Sequence, residues 1–478
     1  MDPMRVKHPT LEERRARGKE RRVTTPRSSH AKWTSSADRP DPVALLEEQN
    51  ATRDPDLVPV RHGRMMVSPF TFYRGSAKIM AADLKDTPRT GLVAQLCGDA
   101  HLSNFGIFAS PERRLLFDLN DFDETLPGPF DYDVKRLAGS FTIVARNNGF
   151  SKAEARDATL ASVSAYQKAM LEFAQMRVMD IWYARLDEDD LMAAIRRTER
   201  EEKGKARESA ARKGERKAEA IARKARTHDS LQALSKLGEL VDGKYRIVSQ
   251  PPIVVPVRDL YATYGVSFDE FEQTIHQMYR AYRATLESDR RHLLERFEVI
   301  DMARKVVGVG SVGTRAFIVL LQGRDQQDPL FRQVKEATAS VLEDHLPKSR
   351  HRQPGSRVVH GQRMMQAASD IYLGWTKGAQ AGRYLYWRQL RDMKGSAKVE
   401  TMSPLVLTFY AGLCGWTLAR AHARSGDPVA IAAYLGRSDT FAKAIAEFSR
   451  WYADQNERDY EAFVGAIRSG RLATLEGV

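Results

Sequence analysis

Gly98-Asp99-Ala100-His101-Leu102-Ser103-Asn104-Phe105-Gly106 is followed shortly by Phe117-Asp118-Leu119-Asn120-Asp121-Phe122-Asp123-Glu124-Thr125, and then by Gly128-Pro129-Phe130-Asp131-Tyr132-Asp133. The apolar run Leu92 to Leu96 leads in and predicts a buried strand, and Arg114 to Leu119 predicts a second. The first strand delivers Asp99 and Asn104, five positions apart; the second delivers Asp121 and Asp123. A carboxylate to take a hydroxyl proton, with an amide oxygen and a carboxylate for a divalent cation, is what phosphoryl transfer asks of a protein. Asp and Asn also stabilise ordinary turns between strands. That accounts for either cluster alone, and poorly for both at these spacings.

The segment Gly98 to Asn104 resembles the G-D-x-H-x-x-N loop of aminoglycoside phosphotransferases and their small-molecule kinase relatives. The Asp–Asn spacing is that of the kinase loop H-R-D-x-x-x-x-N, and Asp121-Phe122-Asp123 stands where kinases carry D-F-G. The resemblance implies Asp99 as base or hydroxyl orienter, with Asn104 and Asp121 on magnesium. Asp123, in place of glycine, would be an auxiliary metal ligand. His101 would shape the loop, and Asp133 would head the helix that follows. From Phe70 onward the chain also resembles a bacterial family, domain of unknown function 2252. That likeness is carried by Phe72 to Gly75, the Gly98 loop, Asn120 to Thr125 and Gln333 to Ala337. It supplies no function.

A second cluster lies far downstream. Lys305-Val306-Val307 enters Gly308-Val309-Gly310-Ser311-Val312-Gly313, and the apolar run Ala316 to Leu321 follows. A dinucleotide fold would require a helix after the last glycine. The β-branched run predicts a strand instead. Strand, glycine turn, strand is the kinase cover over phosphates, where small residues let backbone N–H groups approach. The next strand carries Lys335, placed like the kinase β3 lysine and suited to hold phosphates as a point charge. Glu336 to His345 reads as a helix, so Glu343, or its rival Glu336, is expected to pair with Lys335. Upstream, Arg74 has two readings, a phosphate clamp or the partner of a structural carboxylate such as Asp133.

The chain has 478 residues, 42% of them hydrophobic, enough for two or three domains' worth of core. Lys and Arg number 75 against 62 acidic residues, a net charge of +13. Two cysteines make no disulfide framework or metal cluster. With no apolar leader and no run long enough to span a bilayer, a cytoplasmic protein is expected.

The expected organisation is a basic, flexible arm over 1–55, then the catalytic loop, metal segment and helices over 56–186. A charged helical insertion follows over 187–240, then strands, glycine turn, lysine strand and hinge over 241–395, and helices over 396–478. Helical periodicity covers 133–148, 151–176, 268–289, 405–422 and two stretches from Pro428 to Ile467, with Phe271 and Trp451 among inward residues. Residues 245–257 read as an edge strand or extended crossing. Kinases place the glycine turn and lysine before the catalytic Asp, so the elements here would be circularly rearranged. The expectation is an α+β, two-lobed, protein-kinase-like fold with ATP and Mg2+ between the lobes. The function would be phosphotransfer to a hydroxyl acceptor of unidentified class. Two alternatives stand beside it: a nucleotide-binding regulator without transfer chemistry, and a nucleic-acid-binding protein using the arm and insertion.

Overall fold

The computed structural model describes residues 8–36, 38–193, 223–227, 230–260, 267–390 and 393–477. The expected helices of the charged run from 194 to 222 lie outside the described residues. Five helices come first: α1 (Leu11–Thr24), α2 (Pro42–Asn50), α3 (Val58–Met65), α4 (Pro69–Gly75) and α5 (Ala77–Leu84). Strand β1 (Val93–Leu96) pairs antiparallel with β4 (Leu126–Pro129), and the hairpin β2 (Phe105–Ala109) and β3 (Leu115–Leu119) lies between them in sequence. Helices α6 (Phe130–Asn147), α7 (Lys152–Phe173) and α8 (Val178–Tyr183) follow, with a short strand β5 (Leu186–Asp187) beside β3. Ser151 and Glu154 form a reciprocal cap of α7.

Beyond helix α9 (Ser230–Leu237) come a small hairpin, β6 (Gly238–Val241) with β7 (Lys244–Ile247), and strand β8 (Val254–Pro256). Helices α10 (Phe268–Arg283) and α11 (Ser288–Leu294) precede β9 (Glu298–Lys305), β10 (Ala316–Gln322) and β11 (Pro329–Glu336). Helix α12 (Pro354–Met365) and strands β12 (Gly374–Lys377) and β13 (Tyr384–Gln389) complete an antiparallel six-stranded sheet ordered β12-β13-β11-β10-β9-β8. Helices α13 (Pro404–Ser425), α14 (Pro428–Leu435) and α15 (Thr440–Arg468) close the chain. The architecture is mixed α+β.

The six-stranded sheet is buried on both faces, which is why β10 reads as a continuous apolar run. Val319, Leu321, Leu330 and Val334 pack with Tyr282 of α10 and with Trp387. On the other face Ile318, Leu320 and Phe331 are sealed by Ala233, Leu234 and Leu237 of α9. The two-residue period of a strand puts Lys335 on the same face as Phe331. The larger core joins β1–β4 to the helices through Phe130, Phe141, Tyr166, Leu418, Phe441 and Phe448.

Several expectations need correcting. Residues 11–50, expected as part of a flexible arm, form α1 and α2. Arg22 Nε and Arg27 Nη1 donate to the carbonyls of Tyr434 and Leu435 at the C-terminal end of α14, at 2.7 and 2.5 Å. The arm's arginines thus satisfy carbonyls that a helix end leaves open, and Trp33 packs edge-on against Tyr452. Residues 336–345 are not a helix: Glu336 ends β11 and only a single turn, Val341–Asp344, follows. The helix expected over 268–289 is two helices, and the side chain of Phe271 lies outside the described residues. Residues 245–257 are split between the β6–β7 hairpin and the edge strand β8. Trp451 faces solvent at 44% exposure, with Arg450 over its ring, and β1 exposes Val93.

Candidate functional site

Gly98 opens the loop after β1 with φ +85°, and a Cβ there would lie 2.1 Å from the carbonyl oxygen of Glu124. Only glycine lets the two acidic segments touch back to back. Asp133, in the first turn of α6, fixes this crossing. Its carboxylate accepts the backbone N–H groups of Cys97 at 2.6 Å and Gly98 at 3.0 Å. His422 of α13 bonds the same carboxylate at 3.2 Å, and its other ring nitrogen bonds Tyr166 at 2.9 Å. Asp133 is therefore not the partner of Arg74.

Asp99 follows directly. Its Oδ1 accepts from Arg136 Nε at 2.8 Å, and Arg136 lies 3.7 Å above the Tyr73 ring. Burial pushes the Asp99 carboxyl upward, while Arg136 opposes the shift. Asn104 Nδ2 donates to the Asp99 carbonyl at 2.6 Å, which turns the amide oxygen away from the loop backbone. His101 Nδ1 accepts from Ser103 N–H at 3.2 Å, a bond within its own loop. Burial, with Arg74 and Arg136, holds His101 neutral.

The second strand brings Asp121 and Asp123 to the same place. Lys335 Nζ lies 3.4 Å from Asp121 Oδ2 and 2.5 Å from Asp123 Oδ2. Tyr386, the register partner of Lys335 on β13, donates its hydroxyl to Asp123 Oδ1 at 2.7 Å. Burial disfavours the Lys335 charge, but Asp121 and Asp123 outweigh it and raise its pKa. Burial likewise disfavours the Asp121 carboxylate, and Lys335 with Arg388 reverses this and lowers its pKa. Two stretches more than two hundred residues apart in sequence thus meet in one charged cluster.

Neither expected glutamate reaches Lys335. Glu336 Oε1 accepts from Arg383 at 2.7 Å, and its Oε2 lies 3.3 Å from Arg315. Glu343 closes a reciprocal cap with Ser340. Helix α12 carries no acidic residue; its Arg357 instead donates to the carbonyls of Thr125, Asp123 and Thr338 at 2.5, 2.7 and 2.8 Å. That arginine ties the Asp-Phe-Asp segment to α12, a role no local sequence signal announces.

The glycine turn has its expected strand–turn–strand setting, and its exit residue Ala316 pairs with Lys335. Gly308 and Gly313 take left-handed φ of +67° and +85°. The turn lies against α3, α4 and the segment that precedes them: the Gly308 carbonyl accepts from Arg64, that of Gly313 from Asp54 N–H, and Gly310 crosses the Arg74 carbonyl. The Ser311 carbonyl accepts from Thr314. A polar cleft adjoins the cluster, lined by Asn120, Gln362, Gln366, Asp370, Arg388 and Lys394.

Asn104, Asp121 and Asp123 carry oxygen donors, the ligand type magnesium prefers. Among the described residues no cluster of three or more His, Cys, Asp or Glu side chains is disposed as a metal site. Among those residues no helix is long and apolar enough to cross a membrane. No curated protein and no solved structure matches the chain. Residues 53–466 match the family described as "Uncharacterized protein conserved in bacteria (DUF2252)", and the chain belongs to that family.

Proposed function

We propose that this protein is a magnesium-dependent phosphotransferase of kinase-like, circularly rearranged architecture that moves the terminal phosphoryl group of ATP to a hydroxyl acceptor. The observation that carries the reading is Lys335 lying against Asp121 and Asp123, beside a loop that presents Asp99 and Asn104. The order of strand, glycine turn, strand and lysine strand in β9 to β11, followed by α12, supports it. In this reading Asp99 takes the acceptor proton, and Arg136 keeps that carboxylate oriented and ionised despite its burial. The acceptor oxygen, relieved of its proton, is aligned for in-line attack by the loop that Asp133 holds. Asn104 and Asp121 would hold magnesium, with Asp123 shared between metal and Lys335. When bound, the ion neutralises charge on the phosphate oxygens. Lys335 orients the phosphates, and Asp123 with Tyr386 positions Lys335 in place of a helix glutamate.

The test is release or transfer of the γ-phosphate with magnesium present. Wild type should turn over and Asp99→Ala should fall by at least about a hundredfold, the usual contribution of a positioned base. Equal turnover in both proteins rejects the role of Asp99. One observation favours a second reading, a nucleotide-responsive regulator. The apolar face continuing from Lys335 is covered by α9, so a base lying there would have to displace it. Tight nucleotide binding with no turnover across a broad acceptor panel would favour that reading.

A further inference from the structure

Two arginines near the glycine turn differ from the chain's carboxylate-paired arginines, and from Arg61, whose guanidinium donates to Gln49, Asn50 and the Gly75 carbonyl. Arg136 is paired with Asp99, Arg420 with Asp118, and Arg39 with both Asp83 and Asp459. Arg53 is 8% exposed, yet its guanidinium has no carboxylate within 4 Å among the described residues. Its one hydrogen bond runs from Nη1 to the Val312 carbonyl, at 2.5 Å, and its Nε is buried without a partner. The Arg74 side chain makes no hydrogen bond or ion pair to any described residue. Its Nε is also buried and unpartnered, and its guanidinium carbon lies 6.0 Å from the centre of the Phe70 ring. A guanidinium buried without a counter-charge within reach is costly.

Both arginines flank the glycine turn. The Arg53 stem packs 3.1 Å from where a Gly313 Cβ would stand, and the Arg74 carbonyl 2.9 Å from that of Gly310. Arg53 is close enough to feel Glu124, Asp123 and Glu336, and Arg74 to feel Glu400 and Asp99. Lys335 is already shared between two carboxylates, and the neighbouring Arg388 faces the same pair. A triphosphate needs further cations, and these two are the unspent ones at the turn. We propose that Arg53 and Arg74 form a two-arginine clamp for the terminal phosphate of a nucleoside triphosphate. The proposal rests on the phosphotransferase reading and adds the donor's class: a triphosphate chosen over a diphosphate by planar, fork-shaped donors.

Calorimetric titration with magnesium-ATP, magnesium-ADP and inorganic tripolyphosphate tests this on the full chain. Arg53→Met and Arg74→Met should each weaken ATP and tripolyphosphate by roughly tenfold, the scale of a lost charge-assisted hydrogen bond, and ADP by under about threefold. The double variant should bind ATP and ADP alike, and Arg→Lys should restore part of the preference. Should either Met variant fail to fold, the Lys variants decide, since they keep the charge but lose the fork; an unchanged ATP:ADP ratio in both overturns the clamp. So does an equal loss of both nucleotides in folded Met variants. Wild type binding none of the three ligands would instead remove the phosphotransferase reading itself.

Discussion

Replacing Lys335 with Met has the best-defined expected cost. The ammonium lies 3.4 Å from one carboxylate and 2.5 Å from another, with 2% of its side chain exposed. At an effective dielectric constant of about 20 these separations give roughly 5 and 7 kcal/mol of attraction before desolvation. Removing charges from water offsets most of that. Deleting the lysine alone leaves Asp121 and Asp123 repelling each other across a partly closed site. Breaking a buried pair costs about 3–5 kcal/mol. Asp121 and Asp123 keep 31% and 27% of their side chains exposed, which puts this case at the low end, about 3 kcal/mol. In an Asp123→Asn background one of the stranded charges is gone and Tyr386 keeps an acceptor, so the lysine should matter less. Urea unfolding of wild type, both single variants and the double should show a coupling of about 2 kcal/mol at unchanged m. Magnesium should raise the midpoint of Lys335→Met more than that of wild type, because two carboxylates are released to it. Costs that add within about 0.5 kcal/mol would refute the pairing.

Three further outcomes follow from the same geometry. Asp133→Ala strands the buried N–H groups of Cys97 and Gly98 and should cost about 2–5 kcal/mol in chemical denaturation, with Asp133→Asn clearly milder; equal costs would contradict the pinning role. Burial pushes the Glu124 carboxyl from 4.5 up to about 7. The folded chain therefore keeps a proton that the unfolded chain has released, and this contribution to stability, full below about pH 4, is lost as pH rises through 7. Wild type should lose up to about 3 kcal/mol relative to Glu124→Gln between about pH 4 and pH 8, and parallel thermal-denaturation series would contradict this. Leu234→Ala with Leu237→Ala should loosen α9 from Phe331 and tighten nucleotide binding severalfold by equilibrium titration. Unchanged or weaker binding by a folded variant would mean that α9 does not compete with the base.

The acidic half of the site was legible because it is local. Asp99 and Asn104 sit in one loop, Asp121 and Asp123 in another, and each loop follows a strand with a clear apolar signature. The glycine turn was legible for the same reason, since the β-branched run after Gly313 ruled out a helix. What failed depended on contacts distant in sequence. Glu343 carries a helix-start signal through Ser340, and the signal is real, but only one turn follows because Pro347 lies close behind. Glu336 is consumed by Arg315 and Arg383, and nothing near it in sequence says so. Arg136 and Arg357 carry no motif; only folding shows one on Asp99 and the other on the Asp-Phe-Asp backbone. The basic arm looked unstructured by composition, and its order comes from the carbonyls at the end of α14 that Arg22 and Arg27 satisfy.

A crystal structure of the protein with a non-hydrolysable ATP analogue and magnesium would address the whole reading at once. The expected result is phosphate oxygens within hydrogen-bond distance of Lys335 Nζ and a metal ion bound by Asn104 and Asp121, with the glycine turn over the phosphates. An analogue seated away from Lys335, or none bound at saturating concentration, would contradict the phosphotransferase assignment.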